Sequence, residues 1–99
     1  MRIISRKALR EFWERHPAAE NPLQDWYRIV SHTGWKNLAE ARSDFPHADA
    51  VGDCTVFNIG GNKFRLIVKL RYARQRIYIR NVLTHREYDK EKWKDDCYG

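Results

Sequence analysis

From Lys63 to Tyr72 the chain alternates strictly. Phe64, Leu66, Val68, Leu70 and Tyr72 fall on one side of an extended backbone, and Lys63, Arg65, Ile67, Lys69 and Arg71 on the other. A period of two separates these sets only in a β-strand; a helical period of 3.6 would mix them. The strand therefore needs a core on one face and tolerates charge on the other. Its neighbours obey the same constraint. Cys54–Ile59 reads as a strand, and Gly60-Gly61 as a turn with positive φ at both residues. Pairing Ile59 with Asn62 sets Phe57 opposite Phe64 and Thr55 opposite Leu66, which keeps the two faces separate. A further strand over 77–84 places Ile77, Ile79 and Leu83 on one face and Tyr78, Arg80 and Val82 on the other. A four-residue loop, Ala73–Arg76, sets Leu70 opposite Ile79, Lys69 opposite Arg80 and Arg71 opposite Tyr78. Stacked cations of that kind are costly unless an anion lies on them.

The first half of the chain has helical periodicity. Arg2-Ile3-Ile4 reads as a short edge strand, and Ser5 as the N-cap of a helix over about 6–16, with Leu9, Phe12, Trp13 and His16 on one side. Asn21-Pro22-Leu23-Gln24 reads as a capping box with proline at the first helical position. Leu23, Trp26, Tyr27 and Val30 follow at helical spacing, and Gly34 is the expected stop. Asn37 and Glu40 mark a second capping box, opening a short helix to about Asp44 before Pro46. Residues 47–53 read as a loop, and 87–96 as a charged helix anchored by Trp93. The expected class is α+β in one domain over 1–99: N-terminal helices on the apolar face of a twisted antiparallel sheet, with a short C-terminal helix.

Charge narrows the function. Residues 1–50 carry eight Lys/Arg against seven Asp/Glu, whereas residues 51–99 carry eleven against six. The segment Lys63–Arg86 alone holds eight cations and no acid. Such asymmetry points to an anionic partner. No apolar run approaches the roughly 20 residues of a membrane span, and no signal-peptide pattern follows the basic start. A cytoplasmic protein is expected. Cys54 and Cys97 fit no metal-ligand spacing and are expected as a reduced pair; a disulfide tying the tail to the sheet is the other possibility. The four histidines have no zinc-motif context, so neither metal nor cofactor is expected.

The basic strands run into Thr84-His85-Arg86-Glu87-Tyr88-Asp89, where proton-transfer groups gather. RNA cleavage by its own 2′-hydroxyl needs a base, an acid and cations around the phosphorane. Arg65 and Arg80 offer guanidinium forks that match phosphate oxygens, and His85 is a candidate proton carrier. These residues also have plain structural readings. His85 suits a helix cap or the core, Tyr88 suits the underside of the sheet, and Glu87 and Asp89 suit a helix first turn. The residues thus leave open a nuclease, a non-catalytic RNA- or ribosome-binding module, and a basic docking face for an acidic protein.

Val56–Leu66, Tyr78-Ile79-Arg80 and Thr84–Asp89 closely resemble the HigB family of toxins, as do Ile3–Leu9 and Asp44-Phe45-Pro46. The resemblance implies a RelE-like fold and a metal-independent endoribonuclease acting on mRNA, usually at the ribosome. It also implies a HigA-type helix-turn-helix antitoxin as partner. Carried onto this chain, Arg65 and Arg80 would hold the scissile phosphate, and His85 and Tyr88 would serve as acid and base. Asn58, Asn62, Glu87 and Asp89 also match the family pattern. Charge and face alone add Lys63, Lys69, Arg71 and Arg76 as contacts to flanking RNA.

Overall fold

The computed structural model describes residues 1–98. Its centre is a mixed five-stranded sheet in the order β1-β5-β4-β3-β2. The strands are β1 (Arg2–Ile4), β2 (Asp49–Val51), β3 (Cys54–Ile59), β4 (Phe64–Arg71) and β5 (Arg76–Thr84). The sheet is not wholly antiparallel, because β1 lies parallel to β5. Strand β2, within the expected loop, extends the other edge by pairing Asp49–Val51 with Cys54–Val56. At three residues it is too short to show a period.

Helices α1 (Arg6–Arg15), α2 (Glu20–Ser31) and α3 (Leu38–Asp44) cover one face. Leu9, Phe12, Leu23, Trp26 and Val30 meet Phe57, Leu66, Val68 and Ile77 in the main core. Asn37 caps α3 as its sequence indicates, its Oδ1 accepting from the Glu40 amide at 3.0 Å. Asn21 does not cap α2: a 3-10 turn over Pro17–Ala19 runs directly into the helix, which starts at Glu20. The helix ends at Ser31, ahead of Gly34.

Two registers differ from expectation. Ile59 pairs with Phe64, so the β3–β4 loop has four residues instead of two. The shift is an even number, so Phe57 and Leu66 still share the core face. Gly60 and Gly61 both have positive φ, at 62° and 69°. Between β4 and β5, Leu70 pairs with Ile77 and Lys69 with Tyr78; the expected Lys69–Arg80 opposition does not form. The pairing then slips between Ile67 and Val68, leaving Arg80 as the extra residue of a β-bulge. Beyond it the strand's faces exchange. Val82 packs against the helix-side core, while Leu83 turns to the opposite side.

The second face is not an open basic surface. Helices α4 (His85–Asp89) and α5 (Lys94–Tyr98) replace the single expected tail helix. They fold back over the sheet, and Trp93 and Cys97 bury against Cys54, Val56 and Ile67. Trp93 is the anchor its sequence context indicates, only 5% exposed. Cys54 and Cys97 are joined in a disulfide, which corrects the expectation of a reduced pair. Among the described residues no helix is long and apolar enough to cross a membrane.

Candidate functional site

The end of β5 turns directly into α4 through a complete capping box. Thr84 Oγ1 accepts from the Glu87 amide at 3.2 Å, and the Glu87 carboxylate accepts from the Thr84 amide at 3.0 Å. Those hydrogen bonds, the Thr84 amide first, hold the Glu87 carboxyl below its ordinary range. Glu87 is therefore an ionised structural group that sets where α4 begins. This start places His85 at the first helical position, its amide donating to the Lys63 carbonyl at 3.1 Å. The β3–β4 loop and the β5–α4 junction are thereby tied together.

Five side chains are placed at that junction in two contacting groups, His85 with Asp89, and Arg65 with Tyr88 and Trp93. His85 Nδ1 lies 3.1 Å from Asp89 Oδ2, one helical turn away. This contact orients the imidazole and leaves Nε2 free on a half-exposed side chain. Tyr88 stacks on Trp93 with ring centroids 5.0 Å apart, and the Trp93 indole N–H donates to the Tyr88 carbonyl at 3.0 Å. The Arg65 guanidinium lies over the other side of this pair, 5.0 Å from the Tyr88 ring centre.

Arg65 is the unusual member. It is only 9% exposed, yet its Nη1 donates to the carbonyls of Asn62 at 3.1 Å and Phe64 at 3.2 Å. Its Nη2 reaches Asn62 Oδ1 at 3.4 Å. Among the described residues no carboxylate lies within ion-pair distance of it. A buried cation satisfied only by neutral acceptors and an aromatic face leaves its charge uncompensated. Asn62 also lines a polar hollow of about 400 Å³ with His47, Asn58 and Gly61. Leu83, paired with Arg65, lines a second hollow of about 480 Å³ with Asn81, Glu87, Lys90 and Trp93.

The remaining sequence candidates lie elsewhere. Arg80 forms a two-pronged pair with Asp96, Nε–Oδ2 2.7 Å and Nη2–Oδ1 2.8 Å. Arg71 forks onto Asp53 at 3.0 and 3.2 Å. Lys69 sits between Asp53 at 3.7 Å and Asp96 at 3.8 Å. Both carboxyls are pulled below their ordinary range, Asp96 first by the Arg80 hydrogen bonds and Asp53 first by those from Arg71. Arg80 stands three residues from Leu83, the partner of Arg65, or roughly 10 Å along the strand. Arg80 is thus neither beside Arg65 nor free. Arg76 pairs across the sheet with Arg71 at the far end of β4. Lys63 and Asn58 stay close to the junction, through the His85 contact and the register with Arg65.

Sequence reasoning missed His47, Asn81, Lys90 and Lys92 at the two hollows. His47 and Lys92 sit in loops whose position depends on the fold as a whole, so no local pattern marks them. Asn81 would have needed the bulge. Missed too was the tail's role over the sheet. Its signal was present: Val56 and Ile67 are apolar on the supposedly basic face, and Trp93 and Cys97 are apolar in a charged tail.

A five-stranded mixed sheet covered on one face by N-terminal helices is consistent with a RelE-like fold. This chain belongs to the HigB toxin family, a RelE-like toxic component of a toxin–antitoxin system, whose pattern matches residues 19–91. It is 32% identical over 92 residues to the mRNA interferase toxin HigB of Escherichia coli (strain K12), spanning 90% of this chain and 88% of that protein. The mRNA interferase HigB of Shigella flexneri shows the same identity and coverage. That of Escherichia coli O6:H1 is 29% identical over 93 residues, covering 91% of this chain and 90% of the relative. Membership in a toxin–antitoxin family implies an antitoxin as partner.

Proposed function

We propose that this chain is an mRNA-cleaving toxin whose reaction centre is the Arg65–His85–Tyr88 junction. The observation that carries the reading is Arg65, a nearly buried guanidinium with no carboxylate partner among the described residues, set over the Tyr88 ring, while the oriented His85 imidazole stands three residues earlier on the same helix. Such a site lacks one component, an anion. The relatives' names as mRNA interferases support RNA phosphate as that anion.

In the proposed reaction the 2′-oxygen attacks the adjacent phosphorus as its proton passes to a base. The bond from phosphorus to the 5′-oxygen breaks, and an acid delivers a proton to that oxygen. The products are a 2′,3′-cyclic phosphate and a free 5′-hydroxyl. Arg65 meets the charge that builds on the phosphorane oxygens, where a fixed donor in a water-poor site has its largest effect. His85 and Tyr88 divide the roles of base and acid, with Asp89 holding the imidazole in place. Lys63 and the amides of Asn58 and Asn62 hold the flanking nucleotides. Every role falls to a side chain of this chain.

We place the reaction on the translating ribosome in the cytoplasm, opposed by a HigA-type helix-turn-helix antitoxin. The excess of cations in the second half of the chain supports a polyanionic docking surface. Primer extension on a translated mRNA, with and without ribosomes, tests the reading in the wild type and in His85→Ala. Cuts that need ribosomes and disappear in the variant are expected. Undiminished cutting by a folded His85→Ala protein would reject this site. No cutting by the wild type under either condition would favour a non-catalytic binding module.

A further inference from the structure

The segment Glu91–Tyr98 lies over the cations that the sheet would otherwise present. Four independent contacts hold it there. Trp93 is buried against the sheet. Asp96 grips Arg80 and reaches Lys69. The Asp53 amide donates to the Cys97 carbonyl at 2.7 Å. The disulfide joins Cys97 to Cys54 at the start of β3. The β2–β3 turn is shaped for this tail: Gly52 has φ +57°, and a Cβ there would stand 2.5 Å from the Cys97 carbonyl oxygen. The family match ends at residue 91, before Trp93, Asp96 and Cys97. The cover thus lies beyond the residues that the family pattern matches.

We propose that Cys54–Cys97 is a thiol–disulfide modification site that latches this cover. When the bond is opened by a dithiol reductant, Arg80 and Lys69 become available to an RNA backbone. The proposal rests on the reading of RNA as the ligand. A reductant thiolate attacks one sulfur, the Cys54–Cys97 bond breaks, and a mixed disulfide forms. The second reductant thiol attacks that mixed disulfide, and the reductant leaves as its own cyclic disulfide. The protein gains two electrons and two protons and ends with two thiols. Both cysteines are 2% exposed, so exchange follows a local opening of the tail. Without the covalent link, the cover keeps the buried Trp93 indole with its stack and hydrogen bond on Tyr88, the Asp53–Cys97 backbone hydrogen bond and partly exposed ion pairs, and such pairs hold weakly. An RNA phosphate offers Arg80 the same two-pronged geometry as Asp96. In a reducing cytoplasm the uncovered form is the resting one, and oxidation masks it.

The test compares the oxidised full chain with the chain reduced by dithiothreitol, each checked for thiol content by maleimide mass shift and for folding by circular dichroism. Fluorescence anisotropy with a single-stranded RNA oligonucleotide is read across a salt series. Reduction is expected to tighten binding about tenfold at low salt. It should also steepen the log–log salt slope by about 1.4, the equivalent of two phosphate contacts. Cys97→Ser should bind like the reduced protein under both conditions. Asp96→Ala should steepen the slope in the oxidised protein with the disulfide intact. Equal affinity and slope in folded oxidised and reduced protein would overturn the latch, as would weaker binding after reduction. The mRNA cleavage assay on the same samples separates the two ideas. Equal cutting in both redox states keeps the nuclease and overturns the latch. No cutting in either state, with RNA affinity rising on reduction, keeps the latch and removes the nuclease.

Discussion

Arg65 and Arg71 alternate onto the same face of β4, six residues apart, and meet opposite surroundings. Arg71 is half-exposed and forks onto Asp53; its neighbour Lys69 is shared by Asp53 and Asp96, and Arg80 is closed by Asp96. Arg65 is nearly buried, and among the described residues it donates hydrogen bonds only to carbonyls and an amide oxygen and lies over the Tyr88 ring. One end of the face is a clamp of two carboxylates on three cations, and the other holds a charge with no counter-ion among the described residues. The difference comes from which segments reach each end: the β2–β3 turn brings Asp53 to Arg71. Asp96 rides on α5 toward the clamp, whereas α4 brings His85 and Tyr88 toward Arg65. A count of positive charges treats these arginines alike. Their environments give one a structural task and leave the other in need of an anion.

The sharpest way to break this comparison is to remove each arginine in turn. Arg65→Ala should lower mRNA cutting by about 100-fold or more, as expected for loss of a donor to a developing oxyanion. Arg65→Lys should recover little, because a point charge does not reproduce the fork. Arg71→Ala should leave cutting within about threefold, since an exposed ion pair contributes little. Similar losses in folded Arg65 and Arg71 variants, read by primer extension, would erase the distinction.

A smaller effect is expected one step behind the proposed chemistry. Asp89→Asn should reduce cutting about tenfold, short of the roughly 100-fold expected for losing the imidazole. It should also displace the pH–rate profile, because Asp89 acts through the orientation and charge of His85. A tenfold loss with an unmoved profile would assign Asp89 a purely structural role.

Thr84→Ala should cost about 1 kcal/mol of stability through loss of the helix cap, read as a lower denaturation midpoint at unchanged slope. The loss should be felt at the Arg65 end, as faster hydrogen exchange in α4, and not at the Asp53–Asp96 clamp. Equal loosening of both ends would show that they open as one unit.

Acid should distinguish the ends with the gentlest perturbation. Asp53 and Asp96 sit below the ordinary carboxyl value of 3.8 in the folded chain. A depressed folded value means that their contribution is fully present above that pH. It is lost as pH falls through the folded values. The clamp should therefore hold throughout the neutral range and loosen only below about pH 4. Hydrogen exchange over 91–98 would report this; loosening already near neutrality would mean that the carboxylates do not hold the tail.

Much of the fold was legible because it depends on short-range periodicity. The alternation in β3 and β4 sorted core from surface even though both hairpin registers were displaced, since the displacement was two residues between β3 and β4, and two between β4 and β5 as far as the bulge. Leu83 was assigned to the wrong face because a bulge at Arg80 leaves no mark in a pattern of residue types. At the candidate site, Thr84-His85-Arg86-Glu87 contains its own capping signal, so the start of α4 and the position of His85 follow from adjacent residues. Arg80 was grouped with Arg65 on charge alone, and charge does not say which carboxylate arrives from elsewhere.

What the sequence determined by itself is the local order: strands with one apolar face, amphipathic helices of which α3 has the cap its sequence marks, and a cation-rich segment running into Thr84–Asp89. Those properties arise from steric and hydrogen-bonding preferences among residues a few positions apart. Only the tertiary structure decided that Cys97 meets Cys54 across 43 residues, that Asp96 closes on Arg80, and that Arg65 is buried without a counter-ion among the described residues. Burial and charge compensation depend on which distant segments share a surface, and that is settled when the tail folds over the sheet.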